Sequence, residues 1–121
     1  MTILILPFPP STNRLTRYGS GNAYVSPQYA KWRAAAEAAF LEKMRDCVEP
    51  IIGGFRYHIT LDEKRRRSNM DGDNRQKAVL DFLQAKGIIE NDALANAGSW
   101  SWGPTEPGCC FVSVYRDGGQ P

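Results

Sequence analysis

The chain predicts an α+β fold: a mixed four-stranded sheet with two main helices, in the order β-α-β-α-β-β. Three observations predict it. Apolar residues recur at three- and four-residue intervals in two stretches, as on one face of a helix. Elsewhere they run together or alternate with polar residues between turn formers, as in strands. And 121 residues suffice for one core but not for two, so a single domain over residues 1–121 with one functional site is expected.

Thr2 to Leu6 is β-branched or aliphatic and ends against Pro7, Pro9 and Pro10, which cannot donate to a ladder; it reads as a buried first strand. Ser11 to Ser26 holds Asn13, Arg14, Arg17, Tyr18 and Tyr24 among glycines and reads as a polar loop, either a solvated connection or a ligand contact. Ser26-Pro27 starts a helix, Ser as N-cap and Pro at the first helical position. A helix of about twenty residues is expected, with Trp32, Ala35, Ala36, Ala39, Phe40 and Cys47 as its apolar stripe, closed by Pro50 and Gly53-Gly54.

Phe55, Tyr57, Ile59 and Leu61 alternate with Arg56, His58, Thr60 and Asp62, the period of a half-buried strand. His58 then points away from the core as a solvated side chain. A second helix runs from Asp73, with Ala78, Val79, Phe82, Leu83 and Ala85 on one side and Asp73, Lys77, Asp81 and Gln84 opposite; Gly87 ends it as a C′ residue. Two strands follow, near Leu94 to Trp102, with Trp100 and Trp102 on one face, and from Cys110 to Tyr115.

The formal charge is +2, so affinity for nucleic acid has to come from local clustering. Lys64-Arg65-Arg66-Arg67 is such a cluster. Cys47, Cys109 and Cys110 are odd in number and lack C-x-x-C spacing. They argue against a disulfide framework or structural zinc site and for a reducing compartment. The apolar start stops at Pro7 without a basic leader, and no run of apolar residues is long enough to span a bilayer. A soluble, intracellular chain without a membrane partner is expected.

The densest chemistry lies in Asp71-Gly72-Asp73-Asn74, followed by Lys77. Two carboxylates one residue apart repel unless a cation sits between them, and carboxylates gather hard divalent ions while arginines gather phosphate. The combination points to an enzyme that cuts a nucleic-acid backbone. Each part also has a plain structural reading. Asp73 could be a helix N-cap, Gly72 a residue that lets the backbone turn, Lys77 the partner of an i,i+4 salt bridge, and the basic run a solvated face. Spacing alone does not decide. Asp92 could be a turn residue, and it would have to return along roughly 20 Å of helix, at about 1.5 Å per residue, to meet the other acids. An EF-hand is excluded by Arg75, Gln76 and Phe82. No phosphate-loop motif occurs, so no nucleotide cofactor is expected, and no nucleophilic Ser or Cys has a neighbouring histidine in sequence.

The pattern D-x-D-N-x-x-K-x-x-x-D-x-L, formed by Asp71, Asp73, Asn74, Lys77, Asp81 and Leu83 and continued through Gly87 to Asp92, resembles the signature of the RusA family of Holliday junction resolvases. Pro7-Phe8-Pro9-Pro10-Ser11-Thr12-Asn13-Arg14 resembles that family's Pro-rich start. The chain departs from the pattern at Met70 and at Gly72, which stands where an aliphatic residue is usual. The resemblance implies a cytoplasmic, bacterial or phage-encoded enzyme that acts as a homodimer with magnesium, manganese being an alternative ion, to nick paired strands at a four-way DNA junction. It implies Asp71, Asp73 and Asp92 as metal ligands and Lys77 as the essential amine. Asn13, Arg14, Arg17 and Lys64 to Arg67 are the expected nucleic-acid contacts. Two other readings stand beside it: a nuclease for other branched DNA, and a DNA-binding module without catalysis.

Overall fold

The computed structural model describes residues 2–11, 16–19, 22–25, 27–44, 49–67 and 72–117, with side chains described for 2–11, 27–42, 49–67 and 72–117. Six strands and two α-helices follow one another: β1 (Thr2–Pro7), β2 (Thr16–Gly19), β3 (Asn22–Val25), α1 (Pro27–Ala39), β4 (Phe55–Asp62), α2 (Gln76–Ala85), β5 (Ala95–Gly103) and β6 (Cys109–Arg116). Four strands form one mixed sheet in the order β1-β6-β4-β5, antiparallel except for the parallel pair β4-β5 that α2 connects. This is the expected α+β architecture. The expected polar loop is instead partly a hairpin, β2 paired with β3. Its residues lack a hydrophobic alternation, so nothing in their periodicity announced strands.

Side chains that share a row across the sheet explain which face is buried. Leu4, Val112, Ile59 and Trp100 lie in register, as do Leu6, Cys110, Leu61 and Trp102. Both helices belong to the core beneath these rows: Tyr29, Trp32 and Ala36 from α1, and Ala78, Val79, Phe82 and Leu83 from α2. Trp32 and Phe40 meet Phe82 edge-on, with ring centroids 6.0 and 6.1 Å apart. The opposite face of the sheet carries Ile3, Ile5, Ser113, Phe111, His58 and Thr60; Ile3 and Phe111 are exposed.

Several expectations need correction. The first helix runs for 13 residues before a π-helical turn at Phe40–Met44. Ala35 is exposed, while Tyr29, one turn before Trp32, joins the core. The Ser26 cap and Cys47 lie outside the described residues. Ala85 is exposed at the end of α2, where the apolar stripe has already rotated away. His58 is not merely solvated: its Nδ1 lies 2.6 Å from Ser99 Oγ and its Nε2 2.9 Å from Ser101 Oγ on the neighbouring strand.

Gly87 has φ +73°, the left-handed region that favours glycine. Its N–H donates to Gln84 O and that of Ile88 to Leu83 O, the Schellman pattern, with Ile88 and Leu83 both buried. This turn sends the chain back along α2 toward the site. Among the described residues no helix is long and apolar enough to cross a membrane.

Candidate active site

The 3-10 turn Asp73–Arg75 leads directly into α2, and its N-cap is Gly72, with no side-chain cap bond. Asp73 is therefore not a capping residue. Its Oδ1 accepts a 2.8 Å hydrogen bond from Gln76 Nε2, and Gln76 Oε1 accepts one of 2.7 Å from the Tyr57 hydroxyl. A relay from β4 thus orients the exposed carboxylate. Burial, and then the negative charge of Asp73, raise the Tyr57 pKa above its ordinary value, so the phenol stays protonated and keeps donating.

Gly72 has φ −78°, ordinary right-handed backbone. Its role is room rather than turning: a Cβ there would lie 2.4 Å from the Trp100 ring, closer than any real contact. The tryptophan of β5 thus packs against the backbone between the two acids.

Lys77, one helical turn after Asp73, donates to Asp92 Oδ2 at 3.1 Å and pairs with Asp81 Oδ1 at 2.9 Å. Its pKa is raised by the hydrogen bond to Asp81 first and to Asp92 second. Both carboxylate partners favour the charged ammonium. Asp92 opens the 3-10 turn Asp92–Leu94; Asn91 caps that turn through Ala93 N, and the Asp92 N–H donates 3.0 Å to Gln84 Oε1. Sequence reasoning missed Gln76 and Gln84, each an amide on the exposed side of α2 spaced to reach a site acid.

Asp71, Asn13 and Arg14 lie outside the described residues, and so does the Arg17 side chain, although its backbone belongs to β2. Among the described residues, no three acidic, histidine or cysteine side chains are grouped closely enough to hold an ion by themselves. The described acids offer carboxylate oxygen, the donor chemistry that suits a hard divalent ion such as magnesium or manganese. Cys110 is buried with its thiol pushed up to about 12 by desolvation; it is a core residue.

The basic run sits beside this site on a built platform. Asp62, expected on the polar face of β4, is buried and accepts from Lys64 N at 3.0 Å and Gly108 N at 2.8 Å. Those two backbone bonds, Gly108 first, lower its pKa. The 3-10 turn Glu63–Arg65 that follows sends Arg65 over the Phe8 ring at 5.5 Å, and Arg66 beyond it lies over Trp102 at 5.6 Å. Phe8 and Trp102 themselves stack at 6.2 Å. Lys64 to Arg67 are all exposed.

The family model for endodeoxyribonuclease RusA matches residues 7–108, from the Pro-rich start to the loop before β6. The chain is 32% identical over 90 residues to the crossover junction endodeoxyribonuclease RusA of Escherichia coli (strain K12), covering 74% of this chain and 72% of that protein. It is 31% identical over 90 residues to the proteins of that name from Shigella sonnei (strain Ss046) and Enterobacteria phage 82, at the same coverage. The matched stretch contains the described acids, the lysine and the basic platform, and the chain belongs to the RusA family of endodeoxyribonucleases.

Proposed function

We propose that this chain is a structure-specific endodeoxyribonuclease that resolves Holliday junctions, with magnesium held by Asp71, Asp73 and Asp92. The observation that carries the reading is Lys77, clamped by Asp81 and Asp92 one turn beyond Asp73 on the exposed side of α2. Asp71, Asp73 and Asp92 would hold a divalent ion, which when bound would supply polarisation of a phosphodiester and a lowered pKa for a water. The protein's own side chains do the rest. Gln76 and Gln84 hold the flanking acids in place, and the Lys77 ammonium faces the negative charge that develops on the phosphoryl group. Lys64, Arg65, Arg66 and Arg67 bind phosphates on either side of the cut, with Asn13, Arg14 and Arg17 as further contacts. Affinity then falls steeply with salt.

Paired nicks on opposed strands need two sites related by a two-fold axis, which an isologous homodimer supplies. We place the dimer surface on the sheet face that carries the exposed Ile3 and Phe111, since Trp100 and Trp102 are partly buried against the core.

The test is cleavage of a synthetic four-way junction by the parent and by Asp73→Asn. Magnesium-dependent nicks, absent from the variant while binding is kept, are the expected result. A parent that binds the junction and never nicks it would make the chain a binding module, and equal cutting of forks and flaps would make it a nuclease for branched DNA in general.

A further inference from the structure

Three stretches singled out in the sequence meet at one cleft. The Pro-rich start supplies Phe8, the basic run Arg65 and Arg67, and the turn bearing Asp73 supplies Arg75; Gln28 and Trp32 of α1 complete the wall of a cavity of about 300 Å³. Among the described residues that line it, none is acidic. Arg75 is fixed, its Nη1 donating 2.7 Å to Pro9 O, and its guanidinium lies 5.1 Å from the centre of the Phe8 ring that Arg65 also covers. The Phe8 backbone is held as well, its N–H donating to Gly108 O and Gly108 N to the buried Asp62, and the Phe8 ring stacks on Trp102. Two guanidinium groups thus lie over one aromatic ring, and the exposed Arg67 lines the same cleft.

We propose that this cleft is a nucleotide pocket: it takes one unstacked nucleotide of the bound DNA, the base against Phe8 and the phosphate between Arg65 and Arg67. The inference rests on the reading of the chain as a junction nuclease and deepens it. A ridge of exposed arginines would serve to grip an intact duplex, which presents phosphates and no base faces. A concave site with an aromatic wall instead matches a base withdrawn from its stack, and the branch point of a junction is where unstacking costs least. Arg65, exposed, leaves the ring for the phosphate and yields its face to the base. Arg75, tied to the Pro9 carbonyl, stays as the positioning residue, and it joins the pocket to the turn that carries Asp73.

The experiment is a binding cycle in EDTA, so that no strand is cut, using four-way junctions that carry a single abasic site at each position near the branch. Phe8→Leu keeps apolar bulk and removes the aromatic face. At one position the abasic site weakens binding by the parent about 10-fold, in line with one stacked base, and Phe8→Leu weakens binding of the intact junction equally. The two changes together cost no more than either alone. Losses that multiply at every position, or no sensitive position at all, overturn the pocket. Thermal melting checks the fold of Phe8→Leu. Independently of any variant, 2-aminopurine at the sensitive position brightens when the parent binds, and unchanged emission overturns the proposal. Arg67→Gln weakens binding at all positions alike. A parent that fails to hold any junction defeats the junction reading instead, and the same cycle on single-stranded DNA then decides the pocket by itself.

Discussion

Lys77 and Asp92 are 15 residues apart in the chain, yet the amine and the carboxylate meet at 3.1 Å. The Schellman turn at Gly87 and the Gln84 bond to Asp92 N bring the chain back alongside α2. The long lysine side chain spans what remains. Lys77→Met is expected to abolish magnesium-dependent nicking while junction binding changes less than about 3-fold, because the substitution keeps the apolar stem and removes only the charge. Gel-shift and single-turnover cleavage on the same junction check it.

Asp81 holds the other side of that amine at 2.9 Å. With Asp81→Asn the half-exposed lysine loses a charged partner, so stability changes by no more than about 0.5 kcal/mol. The chemical step slows by about 10-fold as the ammonium swings out of line. Lysine misplacement predicts a lowered kcat with KM unchanged, measured under multiple turnover.

Gly72→Ala is expected to destabilise the fold by about 1–3 kcal/mol, the usual range for overpacking, because its Cβ would lie 2.4 Å from the Trp100 ring. Trp100→Leu in the same chain restores much of the loss, as neighbouring sites couple. Urea unfolding of the single and double variants reads the coupling directly.

Asp62 is buried and its pKa is held below the ordinary 3.8 by the Gly108 and Lys64 backbone N–H groups. A depressed folded pKa means that its stabilisation is complete above that ordinary value and is lost as pH falls through the folded one. Asp62→Asn places an amide against a donor, lowers stability at neutral pH and flattens the acid limb of the stability curve. Thermal melting between pH 2 and pH 7 checks both.

Phe111→Asp sets a charge on the uncovered sheet face, where Phe111 is 39% exposed and Ile3 40%. The variant is expected to be monomeric by light scattering, folded, and able to nick one strand of a junction without resolving it.

Much of the fold was legible because its signals are periodic. The alternation in β4 and the stripe Ala78, Val79, Phe82 and Leu83 each fix a face, and all four of those α2 residues are fully buried. The β2-β3 hairpin was not legible, since Thr16 to Val25 is polar and glycine-rich. In the site, residue types pointed to the acids and the lysine, but spacing could not say what Asp92 meets, because its contact with Lys77 depends on a turn at Gly87 and on the reach of a long side chain. Asp62 and Arg75 were hidden for another reason. Each acts through backbone partners distant in sequence, Gly108 N and Pro9 O respectively, which no local pattern records.

The most direct measurement of the central claim is the anomalous signal of manganese in crystals of the parent protein. A peak coordinated by Asp73 and Asp92, with Asp71 closing the set and lost in Asp92→Asn, is the predicted result. Manganese absent from these carboxylates at saturating concentration, or bound unchanged in Asp92→Asn, would contradict the account.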